Sequence, residues 1–106
     1  MTNSEKANKH DDGKPAMDLL VPEFLLRMGD VMTHGANKYG KNNWKQGLEK
    51  DRIYAAAQRH LNKYHAGEST DKDSGLPHLI HASVNIMMLY FYDIQAKSNP
   101  AMARSL

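Results

Sequence analysis

Three groups of residues in this 106-residue chain have the types and spacing to do chemistry. The first is His78, His81 and Asn85. Separations of three and then four residues place them on one face of a helix, stacked over about two turns. They interrupt a run that is otherwise apolar, and a buried polar group is costly unless it is paired. Either each is satisfied singly inside a core, or the three face a ligand; the residue types leave both readings open. The second group is Glu68, Asp71 and Asp73, just ahead of those histidines. Their carboxylates, together with an imidazole, suit a divalent cation. The plainer reading is a solvated acidic turn that favours the positive end of the next helix. The string Gly67-Glu68-x-x-Asp71-x-x-Ser74-Gly75-x-x-His78 sets loop acids beside helix histidines. The third group is basic and aromatic: Lys38, Tyr39, Lys41, Asn42, Asn43, Trp44, Lys45, Arg52 and Arg59. Lysine and arginine hold phosphates, Trp44 or Tyr39 can stack on a base, and Asn42 or Asn43 can read a base edge or a ribose. The alternative is that Trp44 plugs the core and the lysines form a solvated rim. There is no serine or cysteine nucleophile signature, no Gly-rich phosphate loop and no His-Glu-x-x-His string.

The elements that must position these groups read as helices. Pro22 suits a first helical turn, where its missing N–H is of no consequence. Phe24, Met28, Val31, Met32 and Gly35 then recur at helical spacing, which predicts a helix from about Pro22 to Lys38 closed by Tyr39-Gly40. Residues 41–47 carry turn formers around the single tryptophan and read as an ordered loop. Asp51 is a good N-cap residue for a second helix, running to about His65 and stopping at Gly67. Ile53, Ala56, Ala57, His60, Leu61 and Tyr64 form its apolar stripe, so His60 lies inside that stripe. A third helix runs from about Pro77 to Ala96, with Asn99-Pro100 after it. Leu79, Ile80, Val84, Ile86, Met87, Met88, Leu89, Tyr90 and Phe91 point nearly all round it, and a helix apolar on every side must be covered on every side. Two other helices of one small chain leave part of it bare, which predicts a homodimer or higher homo-oligomer with the stretch Ile86 to Tyr92 in the interface.

Composition narrows the partners. A net charge of +2 argues against a nucleic-acid polymer or a polybasic membrane anchor. The chain has no cysteine, hence no disulfide framework and no thiolate zinc site. The polar start MTNSEKANKHDDGK lacks the apolar core of a signal peptide, and no apolar run reaches the roughly 20 residues that cross a bilayer. The expected location is the cytoplasm. The expected organisation is a flexible arm over residues 1–13, one helical domain over 14–97 and a tail over 98–106.

Several strings together resemble a known family. They are Asp12-Gly13-Lys14-Pro15 with Asp18-Leu19-Leu20, Gly35-Ala36-Asn37-Lys38-Tyr39-Gly40, Asn43-Trp44, Arg59-His60-Leu61, Gly67-Glu68-x-x-Asp71, and Ser74-Gly75-Leu76-Pro77-His78-Leu79-x-His81-Ala82. The set resembles the phage and prophage dATP/dGTP diphosphohydrolase domains, which are similar to the MazG-like all-α nucleoside triphosphate pyrophosphohydrolases. The resemblance spans roughly residues 9 to 93. It implies an all-α bundle of three to four helices, completed by oligomerisation. It also implies a metal-dependent enzyme, using Mg2+ or Mn2+, that cuts dGTP or dATP to the monophosphate and pyrophosphate. On this reading Glu68, Asp71, His78 and His81 serve metal binding and catalysis. Lys38, Tyr39, Asn43, Trp44, Lys45, Arg52, Arg59, His60 and Asn85 bind the nucleotide. One departure stands out. The MazG-like enzymes hold magnesium with a Glu-x-x-Glu pair on one helix and a Glu-x-x-Asp pair on the next, whereas this chain offers His60 and then His78, His81 and Asn85 at the comparable places. Three consequences are open: a different metal, carboxylates supplied from the Glu68 to Asp73 loop, or a non-catalytic protein that binds or sequesters a nucleotide or nucleotide signal.

Overall fold

The computed structural model describes residue 8 and residues 10–98. Most of the expected arm, the Asn99-Pro100 stop and all but the first residue of the expected tail lie outside them. Among the described residues three helices carry the fold: α1 (Pro22–Tyr39), α2 (Lys50–His65) and α3 (His78–Ser98). Short 3-10 turns form at Met17–Leu19 and Asn43–Gln46. No strand forms among the described residues; an antiparallel bridge pairs Thr70 with Pro77. The chain is all-α, as the periodicity predicts, and no described helix is long and apolar enough to cross a membrane.

α1 begins with proline in its first turn and stops where Gly40, at φ 95°, leaves the helical region. α2 begins one residue earlier than Asp51. Glu49 occupies the N-cap without a side-chain bond, and Asp51 lies in the first turn, where its charge still favours the helix dipole. The segment expected as a loop folds its centre, around Trp44, into the second 3-10 turn.

α3 is the helix against which both others pack. Val31 of α1 meets Ile80 and Val84 of α3, with Met28, Met32, Leu76, Met87 and Met88 around them. Ile53 and Ala57 bury the facing stripe of α2. The apolar faces are narrower than their spacing suggests. Phe24 is 41% exposed, and Leu61 and Tyr64 are exposed as well, because they lie beyond the contact with α3. α3 itself is bare along Leu79, Ile86, Tyr90 and Ile94, which recur at helical spacing as one stripe. Tyr92 is different: it is wholly buried within its own chain, so it cannot belong to an interface stretch reaching from Ile86.

Candidate functional site

The link from α2 to α3 is a pinned loop. Gly67, at φ 108°, turns the chain out of α2 in a conformation that a side chain would strain. Asp71 N–H donates to Leu76 O (2.8 Å) and His78 N–H to Ser69 O (2.9 Å), the two bonds of the small bridge. Asp71 Oδ2 accepts from Ser74 N–H at 2.9 Å, and Gly75 N–H donates to Asp71 O at 2.8 Å. These bonds hold Glu68 and Asp71 against the start of α3.

His78, the first residue of α3, is completely buried. Its Nε2 lies 2.6 Å from Glu68 Oε2, and its Nδ1 lies 2.9 Å from His60 Nδ1. Against a carboxylate acceptor, Nε2 must carry the proton. In the tautomer with His78 protonated on Nε2 alone, its Nδ1 is bare and accepts from His60 Nδ1–H. His81, one turn along α3, stacks almost parallel on His60, with ring centres 4.5 Å apart. Its Nε2 lies 2.6 Å from Ser74 Oγ, which also accepts from Leu76 N–H at 3.1 Å. His60, Asp71 and His78 each offer a metal-ligating atom, all within 4.8 Å of one another.

The electrostatics keep this cluster in ligand-ready forms. Burial, helped by the neighbouring His81 and His78, pushes His60 down to about 4. Burial also holds His81 below its ordinary value, although Asp71 pulls the other way. Glu68 is lowered by its bond to His78. For Asp71 burial acts to raise the value, and the bonds from Ser74 outweigh it. At neutral pH the site therefore presents uncharged His60 and His81 beside two carboxylates.

His60, Asp71 and His81 line one wall of a cavity of about 1270 Å³ bounded by α1, the 3-10 turn, α2 and α3. Of the residues read as nucleotide-binding, Lys38, Tyr39, Asn43, Trp44, Arg52, Arg59, His60 and Asn85 line it; Lys45 does not. Lys45 Nζ instead sits over the rings of Trp44 and Phe91. Of the residues read as catalytic or metal-binding, Asp71 and His81 reach the cavity, while Glu68 and His78 stand behind it. His60, read as a nucleotide contact, falls in the three-residue ligand cluster. Glu68 and His81 flank that cluster rather than belonging to it. Lys38 is paired with Asp73 at 3.1 Å, and that bond raises the lysine's pKa and lowers the aspartate's. Trp44 Nε1 and Asn85 Oδ1, a donor and an acceptor, are buried without partners at this cavity's wall.

Three residues were not legible as contributors. His34 lines the cavity and lies 3.7 Å from Asp73; a lone histidine on α1 carries no local signal. Ser74 reads as a turn former but orients His81. In the sequence Tyr92 reads only as the end of the expected interface stretch. Its hydroxyl accepts from Gly47 N–H and Leu48 N–H, both at 3.1 Å, and donates to Trp44 O. One phenol thus ties down the loop that carries Trp44.

The chain is a small helical domain with a basic, aromatic cavity that ends on histidines and carboxylates. The family model described as "dATP/dGTP diphosphohydrolase, N-terminal" matches residues 4–101, and the chain belongs to that family. A Salmonella phage PMBT28 protein named dATP/dGTP diphosphohydrolase is 34% identical over 83 residues, which is 78% of this chain and 28% of that protein. The chain thus spans less than a third of that relative's length. No solved structure matches the chain.

Proposed function

We propose that this chain hydrolyses a purine deoxynucleoside triphosphate, dGTP or dATP, to the monophosphate and pyrophosphate. The observation that carries the reading is the convergence, in one cavity, of phosphate-binding cations with the histidine–carboxylate cluster. Arg52 and Arg59 line the cavity and enter no ion pair among the described residues, so both guanidiniums are available to phosphate oxygens. Trp44 is edge-packed on Phe91, with ring centres 4.9 Å apart. It presents the wall of the cavity to a base, with Asn43 and Asn85 on the same lining. Family membership and the name of the phage relative support the same substrate class.

The donor set at the site fits a divalent cation: two imidazoles and a carboxylate converge. Bound there, such an ion would polarise the phosphates and activate a water. His60, Asp71 and His78 would hold it. Glu68 keeps His78 oriented, and Ser74 keeps His81 turned so that its ring covers His60. Arg52, Arg59 and Lys38 neutralise the phosphate chain. Lys38 does so by exchanging Asp73 for phosphate.

Incubation with dGTP and dATP in Mg2+ or Mn2+, followed by product separation, tests the reading. Monophosphate and pyrophosphate are expected, and Asp71→Asn should lower the rate by roughly 10²–10⁴-fold. Tight nucleotide binding without turnover under every metal would favour a nucleotide-sequestering protein instead.

The bare stripe Leu79, Ile86, Tyr90 and Ile94 supports a second part of the proposal, a homodimer through α3. Beside Leu79, a small apolar hollow of about 340 Å³ is lined by Val21, Phe24 and Pro77. A self-complementary contact would cover both features. Light scattering at micromolar concentration should give about twice the 12.0 kDa of one chain.

A further inference from the structure

His78 is wholly buried, and its Nε2 is committed to Glu68 at 2.6 Å. The nitrogen that remains, Nδ1, faces His60 Nδ1 across 2.9 Å. Two nitrogens each about 2.1 Å from one cation, and at right angles around it, lie about 3.0 Å apart. The pair is therefore already spaced as neighbouring ligands, and Asp71 supplies an oxygen within the same 4.8 Å group. The carboxylate behind His78 repeats the arrangement in which a ligating imidazole donates its other N–H to an acid that orients it.

We propose that His60, Asp71 and His78 form a site selective for a first-row transition-metal ion over magnesium, with Glu68 as the positioning carboxylate behind His78. This rests on the reading of the cluster as a metal site and narrows it to a class of ion. Magnesium dehydrates reluctantly and is held by oxygen, usually one or two carboxylates with waters. Here one carboxylate oxygen is joined by two imidazole nitrogens, a set that manganese, cobalt, nickel and zinc accept and magnesium disfavours. His60 is the residue that must adapt. The Nδ1–H that it gives to His78 has to leave that nitrogen for the ion to bind, and the proton moves to Nε2, on the far side of the ring. Because His60 and Asp71 line the cavity, an ion held by all three lies at the wall that a phosphate reaches.

The test needs no nucleotide. Chelator-treated protein is titrated with Mn2+, Co2+, Zn2+ and Mg2+ by calorimetry, and the Co2+ complex is followed by its visible absorption. One equivalent of each transition ion is expected to bind at least about tenfold more tightly than Mg2+. Glu68→Gln should weaken transition-metal binding by roughly 10–100-fold while circular dichroism stays helical. His60→Asn should abolish the Co2+ band, which covers the case in which a His78 variant fails to fold. Mg2+ binding within a factor of a few of Mn2+ would overturn the proposal. So would Co2+ binding unchanged in folded Glu68→Gln and His60→Asn. Transition-metal binding without dNTP hydrolysis would retire the hydrolase reading and leave the site standing.

Discussion

Single side chains decide the character of this site, and Tyr92 shows how far from the cavity that control can begin. Its hydroxyl bonds three backbone groups of the 3-10 segment, at Trp44, Gly47 and Leu48. Tyr92→Phe keeps the ring and leaves two N–H groups without their acceptor. A stability loss of about 1–3 kcal/mol is expected, read by urea unfolding. Trp44, the single tryptophan, should report a red-shifted emission before the global transition. His60 supplies a second test. Its pKa falls from the ordinary 6.5 to about 4 in the folded chain, chiefly through burial. The unfolded chain takes up this proton below about 6.5, whereas the folded chain resists it until about 4. The His60 contribution is thus complete above 6.5 and is lost as pH falls toward 4. The melting temperature of chelator-treated protein should drop across that window, with a shallower drop in His60→Asn.

At the scale of elements, the loop between α2 and α3 matters most, because it must bring two acids against histidines from two different helices. Gly67 permits this at φ 108°. Any side chain there is strained, although nothing lies within 4 Å of where a Cβ would stand. Gly67→Ala should therefore destabilise by about 1–2 kcal/mol through backbone conformation alone, measured by thermal unfolding. At the proposed metal site, displacing Glu68 should also weaken Co2+ binding. Gly29→Ala, within α1 and equally uncrowded, is the control and should be neutral or stabilising.

For the whole molecule, the outstanding feature is how much of α3 stays uncovered. Ile86 is 56% exposed and Tyr90 64%, one turn apart on the same stripe. Apolar stripes of this kind mark interaction surfaces. If the homodimer forms through α3, Ile86→Asp with Tyr90→Glu should shift the mass in light scattering from about twice to once the 12.0 kDa chain. The α2–α3 core would be left intact. A wild-type mass of one chain, constant on concentration, would show that the stripe has another purpose.

Local chemistry was legible in the chain before any fold was known. Proline at the start of α1, glycines at 40 and 67 and 3.6-residue periodicity set the three helices to within a residue or two, since those signals act over a single turn. The sequence also brought forward the strings that mark the family, and with them the acid–histidine register between Glu68 and His78, because loop and helix are contiguous there. Burial and partnership were decided by the tertiary structure. The spacing predicts Phe24 in a buried face and Tyr92 in an interface between chains, yet Phe24 is 41% exposed and Tyr92 is sealed within its own chain. The difference lies in which of them meets another element. His60 belongs to the ligand cluster because the crossing of α2 on α3 brings its Nδ1 to His78, 18 residues away. Lys38 is neutralised because α1 passes the acidic loop 35 residues on. Distances of that kind are set by helix packing, and helix packing depends on the shapes of all the side chains at once.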